Sequence, residues 1–192
     1  MSADAQDALR GVLLARHGQT DDNLEPIRFQ GFRDTPLNDT GRAQARELAD
    51  RVAALSDPIK SLWASDLSRA RETAEIVGAR IGLEPRLDRR LREANRGRWE
   101  SYTFDEIKQS EPEAFAAWMR GGASWRFPGG ESLQEQQDRV LAALRDVEAT
   151  GVLPALAVCH GGSIRVVLCS RDPRGLDAFH DFEVPNTALV PL

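Results

Sequence analysis

The stretch Val12-Leu13-Leu14-Ala15-Arg16-His17-Gly18-Gln19-Thr20 starts as an apolar run and turns polar at a histidine followed by glycine. A short apolar run that stops at a loop signal reads as a buried strand delivering its last residues to a sheet edge. The same pattern recurs at Ala155-Leu156-Ala157-Val158-Cys159-His160-Gly161-Gly162. Working outward, Ile59–Ala64 reads as another strand, residues 84–92 contain one ending near Glu93, and Ala188-Leu189-Val190 reads as the last. Helical spacing fills the gaps. Asn38 or Asp39 caps a helix with Ala45, Leu48, Ala49, Val52 and Leu55 on one face, and Ala70, Ala74, Val77 and Ile81 mark a second. Leu133, Val140, Leu141, Leu144 and Val147 mark a helix from Glu131 onward, and a further helix starts near Ser163.

Strands alternating with helices predict an α/β fold, a three-layer α/β/α sandwich around a mostly parallel sheet. In such sheets ligands bind outside the carboxyl ends of the strands. The segment 101–130 breaks the alternation, with Tyr102, Phe104, Phe115, Trp118, Trp125 and Phe127 followed by Pro128-Gly129-Gly130. It is expected to form a helical cap insertion over one end of the sheet, within a single domain spanning residues 1–192.

Composition narrows the function. A chain of 192 residues with 41% hydrophobic and 29% charged residues is an ordinary globular protein with room for one sizeable core. A formal net charge of -5 argues against general nucleic-acid binding, which needs a basic face. The segment Met1–Arg10 is acidic and polar, unlike a secretory signal, and no apolar run approaches membrane-spanning length, so no membrane partner is expected. Two cysteines, Cys159 and Cys169, are too few for a disulfide framework or a cysteine zinc site, and a cytoplasmic, reduced protein is the simplest expectation. Only Lys60 and Lys108 among the 25 basic residues are lysines, so a single arginine carries little information. Histidines are the opposite: of three, two precede glycine.

In a parallel sheet His17 and His160 share an edge, where Arg16, Arg69 in the turn after the second strand, and Glu93 after the third also arrive. Taken singly, each has an ordinary structural reading. Together they make the set that phosphoryl transfer to a side chain requires. Imidazole is a neutral nucleophile whose bond to phosphorus water can later cleave. Guanidinium forks and a second imidazole suit the phosphoryl oxygens. A carboxylic acid of raised pKa can protonate the leaving alkoxide. Glycines 18, 161 and 162 would allow backbone amides to approach phosphate oxygens.

The sequence resembles the histidine phosphatase superfamily, also called phosphoglycerate mutase-like, over nearly its whole length. Leu14 to Thr20 with Asn23 is similar to its signature, continued by Gln30-Gly31, Pro36-Leu37, Gly41 and Gln44-Ala45. Ser65 to Ala70 with Thr73-Ala74, Leu91-Arg92-Glu93 with Gly97-Arg98-Trp99-Glu100, Pro128 to Ser132, and His160-Gly161-Gly162 are similar to the later blocks in order. The resemblance implies His17 as phosphate acceptor, Arg16, Arg69 and His160 as the phosphate pocket, and Glu93 as proton donor and then base for water. It implies Gly18, Thr20, Asn23, Gln30, Gly31 and Gly161 around the substrate, a small-molecule phosphate ester as partner, and neither metal nor cofactor. Ser101 departs from the family, which usually has glycine there; Glu100 beside it is a second candidate acid. His180 matches no motif and reads as structural or exposed. Gln19-Thr20 resembles the phosphatase branch, the alternatives being a phosphoglycerate mutase or a non-catalytic module that binds a phosphorylated ligand. For specificity, the loop at Phe32-Arg33 and the residues Trp118, Arg120, Trp125 and Arg126 are candidates.

Overall fold

In the computed structural model, which describes residues 9–192, strand β1 (Val12–Arg16) lies inside the sheet and is covered on both faces. It pairs in parallel with β4 (Ala155–Cys159), Val12 opposite Ala155 and Arg16 opposite Cys159. Beyond β4 come β2 (Ser61–Ala64) and the short β3 (Arg86–Leu87), both parallel, and β5 (Leu189–Pro191) closes the other side of β1 antiparallel. The order is β3-β2-β4-β1-β5, the mostly parallel α/β sheet that the alternation predicts.

Side chains alternating along each strand feed two cores. Leu156 and Val158 of β4 pack on one face with Leu48 and Val52 of α1 (Asp39–Ala53) and Ala70, Ala74 and Val77 of α2 (Ser68–Ile81). Ala155, Ala157 and Cys159 face the other way, onto Val140, Leu144 and Val147 of α5 (Leu133–Ala149) and Ile164 and Val167 of α6 (Gly161–Cys169). Asn38 is the cap of α1: its side chain accepts the Gly41 amide at 2.8 Å. Ser132 caps α5 in a reciprocal box with Glu135, so that helix starts two residues after Glu131.

The third strand is shorter than its sequence suggests. After Leu87 the chain turns at Asp88, whose carboxylate accepts the Arg90 amide at 2.8 Å, and makes one 3-10 turn over Arg89–Leu91. Glu93 is therefore aimed by a turn, not by a strand end. Within segment 101–130, α3 (Phe104–Ser110) and α4 (Pro112–Arg120) pack beside the sheet edge through a third core. There Phe29, Trp99, Trp118 and Phe127 stack edge to face, with Phe29 and Trp118 ring centres 5.1 Å apart. No helix among the described residues is long and apolar enough to cross a membrane. Residues 1–8, most of the polar segment read as unlike a secretory signal, lie outside the described residues.

Candidate active site

His17 leaves β1 at the sheet edge, held there by its amide on the Cys159 carbonyl at 3.0 Å. Its ring Nδ1 lies 2.6 Å from the Gly18 carbonyl oxygen. A carbonyl only accepts, so Nδ1 carries the proton and Nε2 keeps a lone pair. Burial pushes the imidazole pKa well below its usual 6.5, and the charges of Arg69 and Arg16 and the neighbouring His160 push the same way. His17 is thus a neutral imidazole. Behind it, the Asn186 side chain and the Thr187 amide donate to its backbone carbonyl at 3.0 and 3.3 Å.

Two guanidinium groups flank it. Arg16 donates through Nη1 to the Val184 carbonyl at 2.6 Å; Arg69 donates through Nη1 and Nη2 to the carbonyls of Arg33 and Gly31 at 2.8 and 2.9 Å. In both, Nε is buried and has no hydrogen-bond partner among the described residues. Burial lowers each to about 10, opposed chiefly by Glu93, so both stay charged at neutral pH. His160 stands edge-on to His17 with ring centres 5.2 Å apart, one layer behind the cavity wall. Its Nε2 meets the Ser65 hydroxyl at 2.9 Å, and its buried Nδ1 is also unpartnered. An unpaired buried donor is costly, so the two guanidinium Nε atoms mark a place built for an acceptor.

Glu93 is held as a carboxylate. One oxygen accepts the Ala94 amide and the Gln136 side chain, both at 2.9 Å; the other accepts the Gly162 amide at 2.9 Å and lies 4.0 Å from Arg96 Nη2. Burial alone would raise its pKa, but the Arg96 charge and these donors outweigh it and hold Glu93 at about 2. The acid of raised pKa expected from the sequence is therefore not what the free site contains. Its backbone is fixed by Arg139, which donates to the Glu93 carbonyl at 2.8 Å and pairs with Glu131 at 2.6 Å.

His17, Arg16, Arg69 and Glu93 line one cavity of about 560 Å³ with Asn23, Gln30, Gly31 and Gly161. Thr20 and Gly18 do not line it. Thr20 is fully buried and accepts the Gln30 side chain at 2.7 Å, which positions Gln30. Gly18 donates to the Thr73 hydroxyl at 3.1 Å, and a Cβ there would fall 2.3 Å from the Gly41 carbonyl, so this glycine admits α1. With Gly162 committed to Glu93, two of the three glycine amides expected at phosphate serve the protein. Glu100 is a loop staple: its Oε1 accepts the Phe32 and Arg96 amides at 2.8 and 3.2 Å. Ser101 adopts φ +77, the conformation glycine would take freely.

The specificity candidates separate. Trp118 lines the cavity, as do Phe104, Lys108, Phe115 and Met119 of the same helices. Trp125 packs on Trp99 and Phe127, and Arg126 pairs with Glu135, both away from the cavity; Arg120 and the Phe32 and Arg33 side chains are not part of its wall either. Phe32 instead carries the Arg92 guanidinium on its face, and Arg33 pairs with Asp22. His180 does line the cavity, its Nε2 bonded to the Trp118 carbonyl at 2.7 Å. Sequence reasoning missed Arg96 and Arg165 in the wall, and Gln136 and Arg139 behind Glu93.

The family model described as "Histidine phosphatase superfamily (branch 1)" matches residues 12–192. Phosphoglycerate mutase-like protein 4 of Arabidopsis thaliana is 38% identical over 157 residues, covering 80% of this chain and 67% of its own. Probable phosphoglycerate mutase GpmB of Salmonella choleraesuis is 39% identical over 151 residues, covering 78% and 69%. Among solved structures, a mycobacterial glucosyl-3-phosphoglycerate phosphatase in complex with VO3 superimposes with TM-score 0.82 at 31% identity, covering 93% of this chain and 88% of that one. A phosphoserine phosphatase mutant from Entamoeba histolytica, in complex with phosphoserine, gives 0.80 at 25%, covering 93% and 87%.

Proposed function

We propose that this chain, which belongs to branch 1 of the histidine phosphatase superfamily, is a phosphomonoesterase acting on small phosphorylated metabolites through a phosphohistidine intermediate. The observation that carries this reading is the Nδ1–Gly18 hydrogen bond of His17, which leaves Nε2 as a neutral nucleophile beside two buried, unpartnered guanidinium nitrogens.

In this reading Arg16 and Arg69 hold the phosphoryl oxygens through Nε, and His160 contributes Nδ1–H, its Nε2 accepting the Ser65 hydroxyl proton. His17 Nε2 bonds to phosphorus as the ester P–O bond breaks. The leaving oxygen takes a proton from Glu93. Glu93 takes up that proton as the substrate binds, from the monoanionic ester or from solvent: the phosphoryl dianion left beside Glu93 opposes the Arg96 field and raises its pKa from about 2. Glu93, now a carboxylate, takes a proton from water as the water oxygen attacks phosphorus, the P–N bond breaks, and phosphate and free His17 result. Helices α3 and α4 act as the cap that supplies the outer cavity wall, and Asn23, Gln30, Gly31 and Gly161 contact the ester. Both cysteines are buried and free, which suits a reducing compartment, and the cytoplasm is the location proposed.

A second reading, phosphoglycerate mutase, is favoured by the relatives in Arabidopsis thaliana and Salmonella choleraesuis that carry that name. The test is turnover of p-nitrophenyl phosphate by the purified chain without added metal, with His17→Ala abolishing it and phosphate recovered on His17 in acid-free quenched protein. Activity surviving His17→Ala would sink the mechanism. With 3-phosphoglycerate and a bisphosphoglycerate primer, faster formation of the 2-phospho isomer than of free phosphate would select the mutase.

A further inference from the structure

Three N–H donors hold the Glu93 carboxylate, and one of them differs in kind. Ala94 donates to Oε1 and Gly162 to Oε2 through backbone amides, which the chain itself fixes. The third donor is the Gln136 side chain, whose Nε2 reaches Oε1 at 2.9 Å from the first turn of α5. Gln136 is fully buried. Its amide nitrogen also lies 3.4 Å from the Ser163 hydroxyl, whose own proton goes to the Arg92 carbonyl. The amide oxygen has no hydrogen-bond partner among the described residues. An apolar side chain would fill the same space without burying an unpartnered oxygen, so packing alone does not account for an amide here. Direction matters as well. Gly162 and Arg96, the groups beside Oε2, line the cavity, whereas Ala94 and Gln136 lie behind its wall.

We infer that Gln136 is a positioning residue for Glu93: its Nε2–H holds the carboxyl with Oε1 turned into the protein and Oε2 towards the cavity, and it favours the carboxylate form. The inference rests on the phosphatase reading, in which Glu93 gives a proton to the leaving oxygen and later takes one from water. An N–H aimed at a carboxylate stabilises the charged form and not the neutral acid, so Gln136 helps to hold Glu93 at about 2 in the free site. The cations whose charges act with Glu93 are Arg96 in the same loop, Arg16 at the end of β1 and Arg69 on α2. Arg165 of α6 acts on Arg16 and Arg96, and Arg139 of α5 is spent on Glu131 and the Glu93 carbonyl. His17 and His160 are neutral imidazoles, and the Cys159 thiol of β4 is pushed up to about 12. None of these groups is altered when Gln136 is replaced. Without its donor the neutral acid is favoured: Glu93 keeps its proton to higher pH, and the base that water needs is lost at higher pH too.

The test is the pH profile of kcat for phenyl phosphate, whose leaving oxygen needs a proton, measured on the full chain and on Gln136→Met. The limb that Glu93 sets is identified as the one that Glu93→Gln removes. In Gln136→Met that limb is expected at higher pH by about one unit, as for one hydrogen bond to a charged group, with maximal kcat kept within about 10-fold. Methionine removes the unpartnered oxygen along with the donor, so the fold should hold. Gln136→Glu keeps the shape and sets a second carboxyl against Glu93. Two carboxylates in contact resist ionising together, so its limb should move up by about two units or more. This variant carries the test if the methionine variant does not fold. A limb that stays in place while the rate falls equally at every pH overturns the inference and leaves the phosphatase standing. Isotope-edited NMR of the Glu93 carboxyl in the free protein reads the same shift without turnover. An upward shift in a chain that releases phosphate from no ester supports the hold of Gln136 on Glu93 and overturns the phosphatase reading.

Discussion

Gly162 gives its amide to one Glu93 carboxylate oxygen at 2.9 Å, and a Cβ at Gly162 would lie 2.2 Å from the other. The glycine and the carboxylate occupy each other's space at the start of α6, so the position of the candidate proton donor depends on the absence of a side chain one helix away.

Gly162→Ala tests that dependence. The carboxylate displaced is buried and accepts from Ala94, Gln136 and Gly162, so folding stability should fall by about 1 to 3 kcal/mol. Moving Glu93 should lower kcat/KM for p-nitrophenyl phosphate about 100-fold. A thermal melt beside a rate measurement checks both; full activity would show that Glu93 need not sit where it does.

Arg96 helps to hold the Glu93 carboxyl pKa down. Without that cation the burial that raises Glu93 is less opposed, so Arg96→Met should move the carboxyl titration up by about one pH unit or more. Isotope-edited NMR of the Glu93 carboxyl in the free protein reads this directly, and Arg96→Lys should restore most of the original value. An unmoved resonance would contradict the assigned cause.

The two neighbouring glutamates should behave differently. Glu100→Gln keeps an oxygen for the Phe32 and Arg96 amides and should retain activity within about 10-fold. Glu93→Gln removes the proton donor and should cost about 100-fold or more. If the two losses were reversed, the acid would be Glu100.

Acid should destabilise the free protein earlier than its carboxylates alone explain. His17 and His160 have folded-state pKa values well below the ordinary 6.5. As pH falls through 6.5 the unfolded chain gains protons that the folded one refuses, so stability is complete above 6.5 and declines below it. Each imidazole contributes a slope of at most about 1.4 kcal/mol per pH unit. Glu93 adds a loss in the same direction between its ordinary 4.5 and its folded value of about 2. Melting temperature followed against pH should show the first decline, and His160→Gln should flatten it.

Ser101 carries backbone strain at φ +77. Ser101→Gly should stabilise the protein by about 1 kcal/mol, the left-handed penalty less the entropy of glycine. Chemical denaturation measures it; a destabilised variant would mean that the serine side chain compensates for the strain.

His17 and His160 were legible because each closes an apolar run at a parallel sheet edge, where period and position agree. Arg69 and Glu93 followed from the same topology, although Glu93 arrives by a 3-10 turn that no strand pattern announces. Arg96 left no such mark. It is one arginine among many, and its role is set by Phe29 and Phe127, which reach it from distant segments. Gln136 and Arg139 were hidden for a related reason: helical periodicity reports the apolar face of α5, and polar residues turned inward, Gln136 to the Glu93 carboxylate and Arg139 to its backbone, look like solvent-facing ones. Aromatic composition pointed to the cap region as a whole, but which ring reaches the cavity is decided by packing, which admits Trp118 and sends Trp125 onto Trp99.

The segment around Val184, Asn186 and Thr187 braces Arg16 and His17 from behind, 168 residues further along the chain in the case of Arg16 and Val184. A ribosome adding residues one after another makes that distance a delay of about 10 to 30 seconds at ordinary elongation rates. For most of that interval the first strand has neither of its sheet neighbours, since β4 begins at Ala155 and β5 at Leu189. The candidate nucleophile His17 is thus synthesised long before Asn186 and Thr187, the residues that brace it.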